Sequence, residues 1–173
     1  YGEIHIQTYT DEGFICEYDT PESEFYERMT HCDRKVVKDI IEELNGQEPC
    51  KMLAIAFGCD RKHIEEFRES MLEYCKGKMD VCFSCYEYLE FMPAGINKGN
   101  SIRRMCDYLN IPLENTIAVG DPENDITMIQ TAGIGAVMKN ASDDMKQYGD
   151  YITEKTNNEG GVAEVIKKFM LEA

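Results

Sequence analysis

Asp121, Glu123 and Asp125 place three carboxylates within five positions, with the amide of Asn124 among them and Gly120 and Pro122 completing the run. Like charges that close repel unless something cationic sits among them. A hard divalent ion held by carboxylate oxygen would relieve the repulsion, and Mg²⁺ is the usual one beside phosphate groups. The same residues also suit a helix N-terminus, where acidic side chains favour the macrodipole. An EF-hand is excluded. Counted from Asp121, the sixth position is Ile126 where glycine is needed, and the twelfth is Ala132 where glutamate is needed.

Lys98 is the second residue of interest. It opens a helical run directly after Pro93-Ala94-Gly95-Ile96-Asn97. A lysine at a helix start opposes the dipole. An ammonium close to the acidic run would suit a phosphoryl group and the charge developing on it. Taken singly, a lysine such as Lys98 is more often a solvated surface residue. Other chemistries find less support. His5, His31 and His63 are scattered, with no nucleophile beside them, and read as structural or exposed. Ala132-Gly133-Ile134-Gly135 lacks the full G-x-G-x-x-G pattern, and no G-x-x-x-x-G-K-[ST] loop occurs. No cysteine is followed six positions later by arginine, which argues against a cysteine-thiolate phosphatase loop. Cys82-Phe83-Ser84-Cys85 is a lone C-x-x-C in a strand-like run, and reads as two packed thiols.

The elements that would carry these residues can be read in order. Ile4 to Tyr18 reads as a β-hairpin turning at Asp11-Glu12-Gly13, with Ile4 and Ile6 alternating with His5 and Gln7. A polar, proline-containing stretch follows. Val37, Ile40, Ile41 and Leu44 recur at helical spacing, and Asn45-Gly46 ends that helix. Lys51 to Phe57 predicts a buried strand. Asp60 is placed to cap a helix with Ile64, Phe67, Met71 and Cys75 on one face. Asp80 to Phe91 predicts one or two strands.

Pro93-Ala94-Gly95 breaks the pattern and marks a boundary. Beyond it come a helix over 98–109, with an apolar stripe of Ile102, Met105, Cys106 and Leu109, and a short apolar strand over Thr116 to Val119. That strand runs straight into Gly120-Asp121. A helix through Met128 and Ile129, a strand over Ile134 to Met138 and a third strand at Tyr151-Ile152 follow. The last helix shows Val162, Val165, Ile166 and Phe169. Short units of strand and helix predict a parallel α/β sheet. In such a sheet ligands bind at the carboxyl ends of the strands, where Asp121 falls.

Composition limits the partners. Acidic residues number 33 and basic residues 18, a net charge of −15. That field disfavours a nucleic acid or an anionic membrane as partner. With 43% hydrophobic residues the chain can bury a core without disulfides, so its eight cysteines read as cytosolic thiols and the expected location is cytoplasmic.

Three segments together resemble the haloacid dehalogenase superfamily, and within it the Cof-type sugar-phosphatase branch. They are Gly95-Ile96-Asn97-Lys98-Gly99, the run from Ala118 to Ile129, and the run from Ala132 to Ala141. Asn157-Asn158-Glu159-Gly160-Gly161-Val162-Ala163 is similar to the tail of that branch. The resemblance implies a Rossmann-type parallel core with an inserted α/β cap, the cap over 1–92 and the second half of the core over 93–173. It implies a Mg²⁺-dependent phosphohydrolase of small phosphorylated metabolites working through an aspartyl-phosphate. Lys98 would neutralise the nucleophile and the phosphoryl oxygens, Asp121 would ligate Mg²⁺, and Asn124 would line the phosphate site. Asp125 would support the metal or orient Lys98. Tyr86, Tyr88 and Glu90 are candidates for choosing the substrate.

The family's first motif, a strand ending in D-x-D, occurs nowhere in the chain. The expectation is therefore a C-terminal portion of such a phosphatase, inactive by itself. The strand at 116–119 would leave an open apolar edge for a missing N-terminal segment or for self-association. A non-catalytic phosphometabolite-binding module and a related phosphomutase are the alternatives.

Overall fold

The computed structural model of the chain describes residues 4–58 and 61–171, which fall into two compact units dividing between Gly95 and Ile96. The first unit opens with the expected hairpin. Strands β1 (His5–Thr10) and β2 (Gly13–Cys16) pair antiparallel, with Thr10 opposite Gly13. The polar, proline-containing stretch after them, for which the sequence predicts no element, is a helix, α1 (Pro21–Thr30). Its start is a capping box. Thr20 Oγ1 accepts from the Ser23 N–H at 3.2 Å, and the Ser23 hydroxyl accepts from the Thr20 N–H at 3.0 Å. Pro21 occupies the first helical position, where no backbone donor is missed.

Strand β3 (Arg34–Val36) runs parallel to β2 and shortens the next predicted helix to α2 (Ile40–Leu44). The Val37 N–H is still bonded to the Cys16 carbonyl at 2.8 Å, so the chain there is extended and not helical. Val37 is buried, but Ile41 is 76% exposed. Strand β4 (Met52–Ile55), helix α3 (Arg61–Cys75), and strands β5 (Met79–Phe83) and β6 (Tyr88–Pro93) complete the unit. The expected cap Asp60 and neighbouring Cys59 lie outside the described residues.

The six strands run in the order β3-β2-β1-β4-β6-β5, antiparallel except for β2 with β3. The expected stripe of α3 packs as predicted. Ile64, Phe67, Met71 and Cys75 lie against Ala54, Leu89 and Phe91. In β1 the burial differs from simple alternation. Ile6 is only partly buried, whereas His5 and Gln7 are closed off on the opposite face. The His5 ring lies 3.2 Å from Gln7 Oε1 and 3.0 Å from Thr20 Oγ1. Burial lowers its pKa below 6.5, so it is a neutral structural residue.

The second unit contains α4 (Lys98–Leu109), β7 (Ile117–Gly120), α5 (Ile126–Thr131), β8 (Ile134–Val137), α6 (Asp143–Lys146), β9 (Tyr151–Ile152) and α7 (Gly161–Ile166). A π turn over Lys167–Leu171 continues α7. The three strands form a parallel sheet in the order β7-β8-β9, as the sequence led one to expect. Ile129, Val137, Ala141 and Met145 make its core. Two predicted stripes are narrower than read. On α4, Cys106 is buried, while Met105 is 57% and Leu109 51% exposed. On α7, Val165 is buried, but Val162 and Ile166 are exposed. Among the described residues all cysteines are free, and no helix is long and apolar enough to cross a membrane.

Candidate functional site

The acid-rich run follows β7 immediately, at the carboxyl end of the parallel sheet. Residues Glu123–Asp125 form a single 3-10 turn that leads into α5, closed by the Asp125 N–H on the Pro122 carbonyl at 3.0 Å. This turn folds Asp125 back over Gly120. A Cβ at Gly120 would stand 2.3 Å from Asp125 Oδ2, so only glycine lets that carboxylate reach its place. Asp125 is 5% exposed.

Lys98 arrives from a separate element. Asn97 is the N-cap of α4, its side chain accepting from the Asn100 N–H at 2.9 Å. That fixes Lys98 as the first helical residue. At the next position α4 and α5 touch through backbone. The Gly99 N–H donates to Thr127 Oγ1 at 3.1 Å, and a Cβ there would meet the Thr127 carbonyl at 2.4 Å. The contact delivers the Lys98 ammonium to the bend. It donates to Asn124 Oδ1 at 3.1 Å and forms an ion pair with Asp125 Oδ1. The other oxygen, Asp125 Oδ2, accepts from the Asp121 N–H at 3.1 Å. Both oxygens of Asp125 are thus engaged, one by Lys98 and one by the backbone.

Asp121 is held differently. Its Oδ2 accepts from two side-chain amides, Asn140 Nδ2 at 3.1 Å and Asn157 Nδ2 at 3.3 Å. The Asn157 N–H in turn donates to Asn140 Oδ1 at 3.0 Å. Asn140 follows β8 and Asn157 follows β9, so the loops after all three strands converge on one carboxylate. Sequence reading assigned neither asparagine a role. The signal that could have found them is their place, each a few residues beyond a short strand on the sheet edge where Asp121 lies.

Among the described residues no three His, Cys, Asp or Glu side chains gather in a group that could hold a metal ion. Of the two expected metal ligands, Asp125 has both oxygens engaged by Lys98 and the Asp121 N–H, whereas Asp121 has an Oδ1 not taken by the asparagines. This fits an ion such as Mg²⁺, which uses one or two carboxylates and completes its shell with water and phosphate oxygen.

The three substrate-choosing candidates lie in the first unit. Tyr86 is 60% exposed. Tyr88 stacks on Phe57 and Glu90 pairs with Lys51 at 3.3 Å. Burial raises the Tyr88 hydroxyl to about 12, so it is a neutral hydrogen-bonding group. The C-x-x-C is not the pair of packed thiols expected: Cys82 is half-buried and Cys85 is exposed, its Sγ donating to Glu87.

A family model described as haloacid dehalogenase-like hydrolase (Hydrolase_3) matches residues 1–166. The chain belongs to that family. Among curated relatives, the 5-amino-6-(5-phospho-D-ribitylamino)uracil phosphatase YcsE of Bacillus subtilis is 37% identical over 118 residues, 68% of this chain and 47% of that protein. Among solved structures, TM0651 from Thermotoga maritima aligns with a TM-score of 0.72 at 30% identity, covering 96% of this chain and 61% of its own. The subclass IIB sugar phosphatase BT4131 aligns with a TM-score of 0.80 at 21% identity, a likeness of fold. This agrees with the Cof-type resemblance. The chain spans 61% or less of each of these relatives. The matched shares carry family membership, and they do not support the narrower expectation of a C-terminal portion.

Proposed function

We propose that the chain contributes the lysine, phosphate-binding and metal-binding part of a Mg²⁺-dependent phosphatase acting on small phosphorylated metabolites. One observation carries the reading: the Lys98 ammonium is seated on Asn124 and Asp125 in the bend that begins with Asp121. Two preorganised polar groups, one cationic and one an amide, thereby face the carboxyl end of a parallel sheet, where an anionic ligand is bound in such folds.

Each residue has a separable task. Lys98 offsets the charge on phosphoryl oxygens, and Asp125 keeps its ammonium aimed along one direction. Asn124, whose Oδ1 accepts from Lys98, keeps its amide N–H₂ as the group that would donate to phosphate. Asp121 would hold Mg²⁺, which when bound neutralises phosphate charge and fixes the orientation of the phosphoryl group. The relatives' names support a phosphorylated small molecule as substrate. YcsE is named for a phosphoribitylamino uracil, and BT4131 for sugar phosphates.

The attacking carboxylate of the aspartyl-phosphate route is not supplied by a D-x-D within these 173 residues. Covalent catalysis needs that nucleophile, so turnover belongs to a protein in which other residues provide it. The test is a phosphate-release screen of the complete protein across sugar and nucleotide-precursor phosphates, with and without Mg²⁺, alongside Asp121→Ala. Release that needs Mg²⁺ and disappears in Asp121→Ala is the expected result. Metal-independent release, or full activity in Asp121→Ala, overturns the reading.

A further inference from the structure

The two carboxylates four residues apart are held by donors of opposite kind. Asp125 is neutralised by a lysine ion pair. Asp121 is held by two neutral amides on a single oxygen, Oδ2. The difference has a chemical consequence. An ammonium or guanidinium on Asp121 would orient it and cancel its charge at once. An amide fixes the carboxylate plane and leaves the full negative charge for a cation at Oδ1.

The amides are themselves held in place by the loops that carry them. Thr153, 2% exposed, accepts from the Lys139 N–H at 3.0 Å and donates to the Lys155 carbonyl at 2.6 Å, tying the loop after β8 to the loop after β9. Glu164 on α7 accepts from the Glu154 and Lys155 N–H groups at 2.8 and 3.1 Å. Thr156 and Glu159 close a capping box around Asn157. The Asn157 N–H to Asn140 Oδ1 bond then fixes which end of the Asn140 amide faces Asp121, because its oxygen is used and only its N–H₂ remains.

We propose that Asn140 and Asn157 are positioning residues that orient Asp121 for a divalent cation, an inference that rests on Asp121 being the cation ligand. They act through their bonds to Asp121. Their effect is to hold one carboxylate rotamer, so that the cation meets a prearranged oxygen.

The experiment measures Mn²⁺ affinity, by the electron paramagnetic resonance signal of free Mn²⁺, in the complete protein and in Asn140→Ala, Asn157→Ala, the double variant and Asp121→Ala. The same samples are assayed for turnover against Mg²⁺ concentration. The double variant is expected to bind Mn²⁺ about tenfold more weakly, in the range found for groups that orient metal ligands, with turnover recovering as Mg²⁺ is raised. Should the double variant fail to fold, the single variants decide by the same measurement. Wild-type Mn²⁺ affinity in the asparagine variants, with affinity lost in Asp121→Ala, overturns the positioning inference alone. Unchanged affinity in Asp121→Ala overturns instead the reading of Asp121 on which it rests.

Discussion

Asp125 Oδ2 accepts the backbone N–H of Asp121 at 3.1 Å, while its other oxygen is ion-paired with Lys98. One buried carboxylate therefore sets both the direction of a lysine and the backbone of the residue four positions before it. The two ends of this link predict different losses for two substitutions. Asp125→Asn keeps an oxygen for the Asp121 N–H but removes the charge that holds Lys98. Its stability should stay close to wild type, while turnover of the complete protein falls on the order of tenfold to a hundredfold through misorientation. Asp125→Ala also orphans the N–H and should lose about 1–3 kcal/mol in denaturant unfolding. Equal stability loss in both variants would remove the distinction.

Lys98→Ala should lower turnover by about 10²–10³ fold, the scale of losing one preorganised charge stabiliser. Lys98→Arg keeps the charge but replaces a compact ammonium by a planar fork, and should recover only part of it. Steady-state phosphate release checks both. Full activity in Lys98→Ala would take this residue out of the mechanism.

Gly120→Ala tests the packing beneath the site. Its Cβ would stand 2.3–2.6 Å from three side-chain atoms of Asp125, a residue with little room to retreat. A loss of about 1–3 kcal/mol is expected, as for overpacking elsewhere, accompanied by loss of activity. The readout is the denaturant midpoint together with phosphate release. A variant of wild-type stability would show that Asp125 is free to move.

The pair Tyr151–Glu164 makes the second unit pH-sensitive. The Tyr151 hydroxyl donates to Glu164 Oε1 at 2.6 Å. That bond, aided by the Glu154 and Lys155 N–H groups, holds the Glu164 carboxyl below its ordinary 4.5, and the same bond raises Tyr151 to about 12. A carboxylate depressed in the folded state adds stability that is fully present above 4.5 and lost as pH falls through its lowered value. A raised tyrosine adds stability present below pH 10 and lost as pH climbs towards 12. The stability advantage of wild type over Tyr151→Phe should therefore be flat near neutrality and shrink in acid below pH 4.5. Thermal unfolding midpoints of both proteins across pH 3–7 measure it, and an advantage independent of pH would count against the bond.

Much of this protein is written locally. The 3.6-residue recurrence of Ile64, Phe67, Met71 and Cys75 made α3 legible, and turn residues at Asp11-Glu12-Gly13 and Asn45-Gly46 marked element ends. The family too was readable, because its motifs are short runs of neighbouring residues, such as Gly120 to Asp125. Other features misled for a physical reason. Pro21 looks like a breaker, yet at the first position of α1 it costs no hydrogen bond once Thr20 and Ser23 form their box. Ile41, Met105 and Leu109 continue apolar stripes but stand exposed, since periodicity reports a face and not what covers it.

The pairings at the site belong to the fold. Asn140 and Asn157 lie 19 and 36 positions from Asp121 and meet it only because β7, β8 and β9 stack in parallel order and end at one edge. Lys98 reaches Asp125, 27 residues on, because Gly99 lets two helices approach backbone to backbone. Residue types and spacing state which charges and donors are available. Which charge is cancelled and which is left for a cation follows from strand order and helix contact, interactions between segments that no local pattern encodes.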